Sequence, residues 1–278
     1  MLSKNRIKYI RSLEMKKYRK AEKAFLAEGN KLVNDLLGHF SCKLLIATAQ
    51  WLEAHPLLLA QETIEVSAEE LARASLLKTP QEVLAVFELP SYTYDDSLPG
   101  HSLCLALDDV QDPGNLGTII RIADWFGIED IFCSQGTADA FNPKTVQATM
   151  GALARVKLHY CDLKEFIRVQ TERNVPVFGT FMDGKNIYSQ ELSAQGVIIM
   201  GNEGNGVCKE IEALVSQKLL IPNYPQGKDT SESLNPAATI PWLLRPFACM
   251  PRAHEDGRRT WVTSPAKPSS SPARALQR

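Results

Sequence analysis

From residue 103 to residue 221 the chain alternates short apolar runs with longer stretches whose apolar positions recur every three or four residues. The apolar runs predict strands at Leu103–Leu107, near Ile131, near Leu158, and at Val175–Phe181, Val197–Met200 and Lys218–Ile221. The periodic stretches predict helices at Asn115–Phe126, Pro143–Ala154, Leu163–Arg173 and Lys209–Ser216. Strands that are apolar on both faces and separated by helices predict a mostly parallel sheet covered on both sides. Such sheets take their ligands in the crevice beyond the carboxyl ends of the strands.

Upstream the pattern differs. Residues 16–37 read as helical, with Leu32, Val33, Leu36 and Leu37 at helical spacing. Strand-like runs follow at Cys42–Ala47 and Thr63–Val66, then a helix at Ala68–Ala74 and a strand at Glu82–Leu89, which together predict a small α/β domain over residues 1–90. PSYTYDDSLPG, residues 90–100, is polar and aperiodic, so 91–100 reads as a linker and the alternating series as a second domain over 101–240. Beyond it, Pro236, Pro241, Pro246 and Pro251 predict no long helix, and the Pro/Ser/Arg-rich tail 241–278 reads as disordered.

Composition sets bounds. The 278 residues are 44% apolar and 23% charged, as in an ordinary globular chain. No apolar run approaches the ~20 residues of a spanning helix, and no apolar segment follows the basic N-terminus, which predicts a cytoplasmic protein with no membrane part. Six cysteines, Cys42, Cys104, Cys133, Cys161, Cys208 and Cys249, are scattered without a C-x-x-C pair, so neither a disulfide framework nor a zinc site is expected. The net charge of −1 hides an uneven distribution: residues 1–23 hold nine Lys/Arg against two Glu, and residues 241–278 hold seven against two acidic residues. A basic arm of that kind can neutralise nucleic-acid phosphates, with Tyr9 and Tyr18 available to stack on bases. A solvated helix face has the same composition.

Candidate chemistry concentrates in three loops. DPGNLGTIIRIADWFG, from Asp112, follows the first strand of the series; Pro113 and Gly114 make a turn and Asn115 is a suitable N-cap. Arg121 lies further along, at the edge of the face made by Leu116, Ile119, Ile120, Ala123 and Phe126. A guanidinium there can clamp a phosphate, or it can be a surface group paired with Asp124 or Asp108. VIIMGNEGNGV, from Val197, puts Gly201, Gly204 and Gly206 in a turn where backbone N–H groups can approach a ligand, with Glu203 either a site residue or a plain helix N-terminal carboxylate. LLIPNYPQGKDTSESLN, from Leu219, leads through a polar loop to a helix start at which Ser231 or Ser233 can serve as N-cap. Neither G-x-G-x-x-G nor G-x-x-x-x-G-K-[ST] occurs, which argues against a dinucleotide or triphosphate enzyme.

In this order, N-x-G-x-x-x-R (Asn115–Arg121), G-N-E-x-x-G-V (Gly201–Val207) and I-P…S-L-N (Ile221–Asn235) resemble the three motifs of the SpoU/TrmH family of RNA ribose 2′-O-methyltransferases. FLAEGNKLV upstream is similar to the N-terminal substrate-binding domain of rRNA-directed members, and the resemblance spans residues 15–240. It implies an α/β chain with a small N-terminal α/β substrate-binding domain and a SPOUT-class parallel-sheet catalytic domain closed by a trefoil knot that holds S-adenosylmethionine. By the same carry-over, Thr180, Gly201, Ile221 and Leu234 contact the cofactor, while Asn115, Arg121, Glu203, Ser233 and Asn235 form the catalytic and RNA-facing set. The substrate it implies is RNA, ribosomal rather than transfer RNA, and the assembly a homodimer without metal. Transfer of a sulfonium methyl needs an oxygen nucleophile placed in line and no metal.

After Asn235 the sequence departs from the Ala/Val-rich helix usual in that family, through a reading-frame change just past that point or through divergence. Two readings follow. The complete motif set favours an active RNA 2′-O-methyltransferase; the tail favours a non-catalytic RNA-binding or ribosome-associated protein that retains the fold.

Overall fold

The computed structural model describes residues 2–56, 60–202, 204–222 and 236–248 and the pairs 252–253 and 259–260. The chain begins with α1 (Lys4–Ser12), α2 (Lys16–Glu22), β1 (Ala24–Glu28), α3 (Asn30–Leu36), β2 (Cys42–Ala47), α4 (Ala49–Ala54), β3 (Thr63–Glu65), α5 (Ala68–Ala74) and β4 (Val83–Glu88). The strands form a sheet in the order β1-β4-β2-β3, antiparallel except for β2 with β3. β1 corrects the helical reading of residues 16–37. All five of its residues are buried, and burial on both faces removes the polar-apolar alternation that marks a strand.

One face of this sheet packs Leu26, Leu44, Ile46, Leu84 and Val86 on Ile10, Leu13 and Leu71. The other, with Phe25, Ala27, Leu45, Ala85 and Phe87, belongs to a core that continues into the second half of the chain. There Phe25 meets Phe141 with ring centroids 4.8 Å apart. The segment between the sheets is also packed: Tyr94 lies edge-on to Phe132 at 5.9 Å, and Gln170 Nε2 donates to the Asp96 carbonyl at 2.8 Å.

The basic N-terminus is two packed helices rather than an arm, and Arg19 has no part in a charged surface. Its side chain is 2% exposed; it donates to the Leu13 and Glu14 carbonyls at 2.8 and 2.7 Å and pairs with Asp139 at 2.6 Å, across the junction between the two sheets. Arg6 is paired with Glu62, whereas Lys16, Lys17 and Lys20 are exposed. Removing one partner of a buried ion pair typically costs ~3–5 kcal/mol. Arg19→Gln is therefore expected to lower the unfolding midpoint markedly, while Lys16→Gln stays within ~0.5 kcal/mol. Equal midpoints for the two variants in a denaturant titration would contradict the assignment.

The second half contains β5 (Leu103–Leu107), α6 (Pro113–Trp125), β6 (Asp130–Cys133), α7 (Pro143–Thr149), β7 (Lys157–Tyr160), α8 (Leu163–Glu172), β8 (Val177–Asn186), β9 (Gly196–Met200), α9 (Lys209–Glu212), β10 (Gln217–Leu220) and α10 (Pro236–Ala248). The six strands are all parallel, in the order β10-β8-β9-β5-β6-β7. Alternate residues face opposite ways: Leu105, Leu107, Ile131 and Ile198 pack with α6, and Cys104, Ala106, Phe132 and Ile199 with α8. The parallel sheet covered on both faces is thus as the apolar runs predicted. The helix predicted over Pro143–Ala154 is broken at Met150, which takes φ +52°, and the one over Lys209–Ser216 stops at Glu212.

Residues 236–248 correct a further expectation, because they are helical despite Pro241 and Pro246 inside the helix. Pro236 starts it, where a missing N–H costs nothing. Ile240, Leu243, Leu244 and Phe247 fall on one buried stripe, and Phe247 meets Phe178 at 5.1 Å. An interior proline costs ~3 kcal/mol, but each buried large apolar side chain returns ~1.5–3 kcal/mol. The apolar stripe decides. The trefoil knot that the resemblance implies belongs to the C-terminal part of this domain, where residues 223–235 lie outside the described residues.

Candidate active site

β5 and β9 are neighbours in the sheet, with Leu107 opposite Met200. The loops that leave their carboxyl ends, Asp108–Asp112 and Gly201–Val207, therefore emerge side by side. β8 lies on the other side of β9, and their ladder ends with Gly179 opposite Ile199, so Thr180 is the first residue of β8 beyond it. Thr180 also starts an irregular stretch: Lys218 of β10 pairs with Gly179 and the next residue, Leu219, with Lys185, so residues 180–184 have no register partner on β10.

α6 starts on Asp112, not Asn115 as expected from the sequence. The Asp112 side chain accepts from the Asn115 N–H at 2.8 Å, and Pro113 occupies the first helical turn. An aspartate directly before a proline at the first helical position was the signal for this cap. The Asn115 amide, and after it Lys144 at 3.2 Å, hold the Asp112 carboxyl below the usual carboxylate range. Gly117 lets α6 close on α7: a Cβ there would lie 2.8 Å from the Thr145 carbonyl oxygen.

Arg121 is exposed and, among the described residues, has no hydrogen-bond or ion-pair partner. The two partners weighed from the sequence are engaged elsewhere. Asp124 holds Arg155 in a bidentate pair at 2.8 and 2.7 Å, and Asp108 accepts from the Cys208 N–H at 2.8 Å. Arg121 lies ~9 Å along the helix axis from Asn115. It opens on a groove of about 360 Å³ lined by Thr118, Ile122, Trp125, Phe126 and Pro241. Trp125 is 86% exposed and Trp242, on α10, 54%.

Of the residues singled out from the sequence, the structure thus gathers Thr180, Gly201 and the start of α6 with Asn115 at the ends of adjacent strands. Ile221 follows β10 and packs on the core. Arg121 is on an exposed face of the same helix, less than two turns beyond Asn115. Glu203, Ser233, Leu234 and Asn235 lie outside the described residues. Gly201 is enclosed: a Cβ there would overlap the Gly206 and Val207 backbone. Thr180, Gly201 and Ile221 are partly or fully buried and uncharged, a lining that suits the planar adenine of a nucleoside cofactor; these three residues give a sulfonium no counter-charge. Among the described residues no cluster of three or more acidic, histidine or cysteine side chains could hold a metal, and no helix is long and apolar enough to cross a membrane.

A parallel α/β sheet with its loops gathered at the strand ends, joined to a small α/β module, has the plan of the SPOUT-class methyltransferases. The chain belongs to the SpoU rRNA methylase family, whose model matches residues 102–241, and a model of the MRM3-like substrate binding domain matches residues 4–85. The 23S rRNA (guanosine(2553)-2′-O)-methyltransferase RlmP of Bacillus subtilis is 30% identical over 241 residues, covering 86% of this chain and 94% of that protein. A TrmH-family protein from Porphyromonas gingivalis superposes with a TM-score of 0.81 at 39% identity, covering 89% of this chain and 98% of the other. The AdoMet-bound rRNA methyltransferase of Sinorhizobium meliloti gives 0.73 at 30% identity, over 89% and 96% of the two chains.

Proposed function

We propose that the protein is a cytoplasmic, homodimeric methyltransferase with a knotted catalytic domain. In this reading it transfers a methyl group from S-adenosylmethionine to a ribose 2′-hydroxyl of ribosomal RNA. The observation that carries this reading is the placement of the first two motifs at the ends of adjacent parallel strands with Thr180 beside them. The choice of ribosomal RNA rests on the relative RlmP and on the match to the substrate-binding domain.

The cofactor, when bound, supplies an electrophilic methyl group. Thr180, Gly201, Ile221 and Leu234 hold it. Asn115, Glu203, Ser233 and Asn235 orient the ribose, and the Arg121 guanidinium takes the adjacent phosphate. A guanidinium is a poor base, so Arg121 acts by favouring the developing alkoxide electrostatically; the methyl group passes to the ribose oxygen, the thioether leaves with the electron pair of the broken C–S bond, and the hydroxyl proton is released to solvent. The rest is positioning and exclusion of water. The apolar face of Ile122, Trp125, Phe126 and Pro241 next to Arg121 is where a second copy docks. Trp125→Glu is expected to turn a dimer into a monomer in sedimentation; a monomeric parent would remove this part of the reading.

Titration calorimetry with S-adenosylmethionine in the presence of a chelator tests the reading. Binding in the ~1 μM to 1 mM range usual for enzymes and their substrates is expected. No binding, with RNA affinity retained, would favour the non-catalytic RNA-binding reading. For RNA, Lys16, Lys17 and Lys20 changed together to Gln should weaken binding and lower the logarithmic salt slope by ~0.7 for each single-strand phosphate no longer neutralised. An unchanged slope would return these lysines to a solvated helix face.

A further inference from the structure

The loop after β5 and the turn after β9 are fastened together by two side chains outside the motif roles given above. Asn202 Nδ2 donates to the Asp109 carbonyl at 2.8 Å, while its Oδ1 accepts from the N–H groups of Gly204 at 2.8 Å and Asn205 at 3.3 Å. Its backbone closes the same turn by exchanging hydrogen bonds of 3.0 and 2.9 Å with Gly206. From the other side, Asp108 accepts from the Cys208 N–H at 2.8 Å and donates its own N–H to the Met200 carbonyl at 2.8 Å. Asp108 is 8% exposed.

Asp109, the residue held by Asn202, has φ +60°, and its N–H donates to Ser134 Oγ at 2.9 Å. A non-glycine residue keeps that left-handed conformation only where its surroundings fix it. Three residues later Asp112 caps α6. A carboxamide is suited to this post because it offers a donor and an acceptor at once; a carboxylate or a hydroxyl cannot supply the same set in the same place.

The geometry points to Asn202 as a positioning residue that, with Asp108, sets the turn following β9 against the start of α6 and so keeps the cofactor side of the site in register with the groups on that helix. This rests on the functional reading above. A misplacement of about 1 Å can cost ~10²-fold in rate without changing either binding step.

The test uses the full chain with Asn202→Ala and Asn202→Asp. Asn202→Asp keeps the acceptor for Gly204 and Asn205 but sets an oxygen against the Asp109 carbonyl. Asn202→Asp, which keeps the acceptor that closes the turn beside Gly201, is expected to bind one S-adenosylmethionine per chain with near-parental affinity, while kcat per bound cofactor falls by ~10–100-fold in both variants. The ratio of Asn202→Asp to parent should rise as pH falls, because a protonated carboxyl regains a donor. Amide exchange should show Asp108 and Asp109 of Asn202→Asp, whose N–H groups donate to the Met200 carbonyl and Ser134 Oγ, losing protection while Gly204 and Asn205 keep theirs. Parental kcat per bound cofactor in both variants, a ratio flat with pH, or parental exchange at Asp108 and Asp109 overturns the proposal. Failure of both variants to fold also overturns it, since Asn202 would then serve stability. A parent that transfers no methyl refutes the functional reading instead, and the exchange arm then decides the clamp alone.

Discussion

Arg121→Lys is expected to reduce methyl transfer by ~10²–10³-fold, the usual cost of losing one preorganised group that stabilises transition-state charge. Lysine keeps the charge but not the planar fork that grips a phosphate through two parallel hydrogen bonds. The structure separates this from a stability effect. Arg121 is exposed, and the acids that could have held it, Asp124 and Asp108, are bound to Arg155 and to the Cys208 N–H. Its replacement should therefore change stability by less than ~0.5 kcal/mol. Single-turnover transfer, with cofactor affinity measured alongside, checks it; near-parental transfer would remove Arg121 from the site.

Gly201→Ala is expected to act on the other half of the site. One methyl group must displace the backbone of Gly206 and Val207, which pack directly on Gly201 and belong to the turn closed by Asn202. Backbone cannot rotate away as a side chain can, so the turn has to shift. Cofactor affinity should drop more than tenfold, equivalent to ~1.4 kcal/mol or more, while the N-terminal sheet is unaffected. Parental affinity in calorimetry would show that nothing binds at the end of β9.

The parallel sheet was legible because Leu103–Leu107 and Val197–Met200 are apolar on both faces, a signature of buried strands with helices between them. The same kind of burial hid β1, whose AFLAE sequence lies in a window of helical spacing. The start of α6 was misplaced because Asn115 is a good cap in isolation; the Asp112-Pro113 pair outcompetes it. In α10 local propensity pointed away from helix, and packing of Ile240, Leu243, Leu244 and Phe247 overrode it. Arg19 looked like part of a basic surface, and nothing local reveals that its partner stands 120 positions away at Asp139. The motifs of the site were legible through their order. The Asn202–Asp109 bond was not, because it joins two loops that only the strand order brings together.

Methyl transfer to a ribose 2′-oxygen is read out by site-resolved mapping of the modified RNA. The full-length protein is incubated with unmodified ribosomal RNA and methyl-labelled S-adenosylmethionine, and the RNA is then hydrolysed with alkali. Label is expected at a discrete nucleotide whose 3′ phosphodiester bond has become alkali-resistant, since a methylated 2′-oxygen can no longer attack it. Label on a base, with that bond still cleaved, or cofactor binding without any transfer to ribosomal RNA, would contradict a ribose 2′-O-methyltransferase acting on ribosomal RNA.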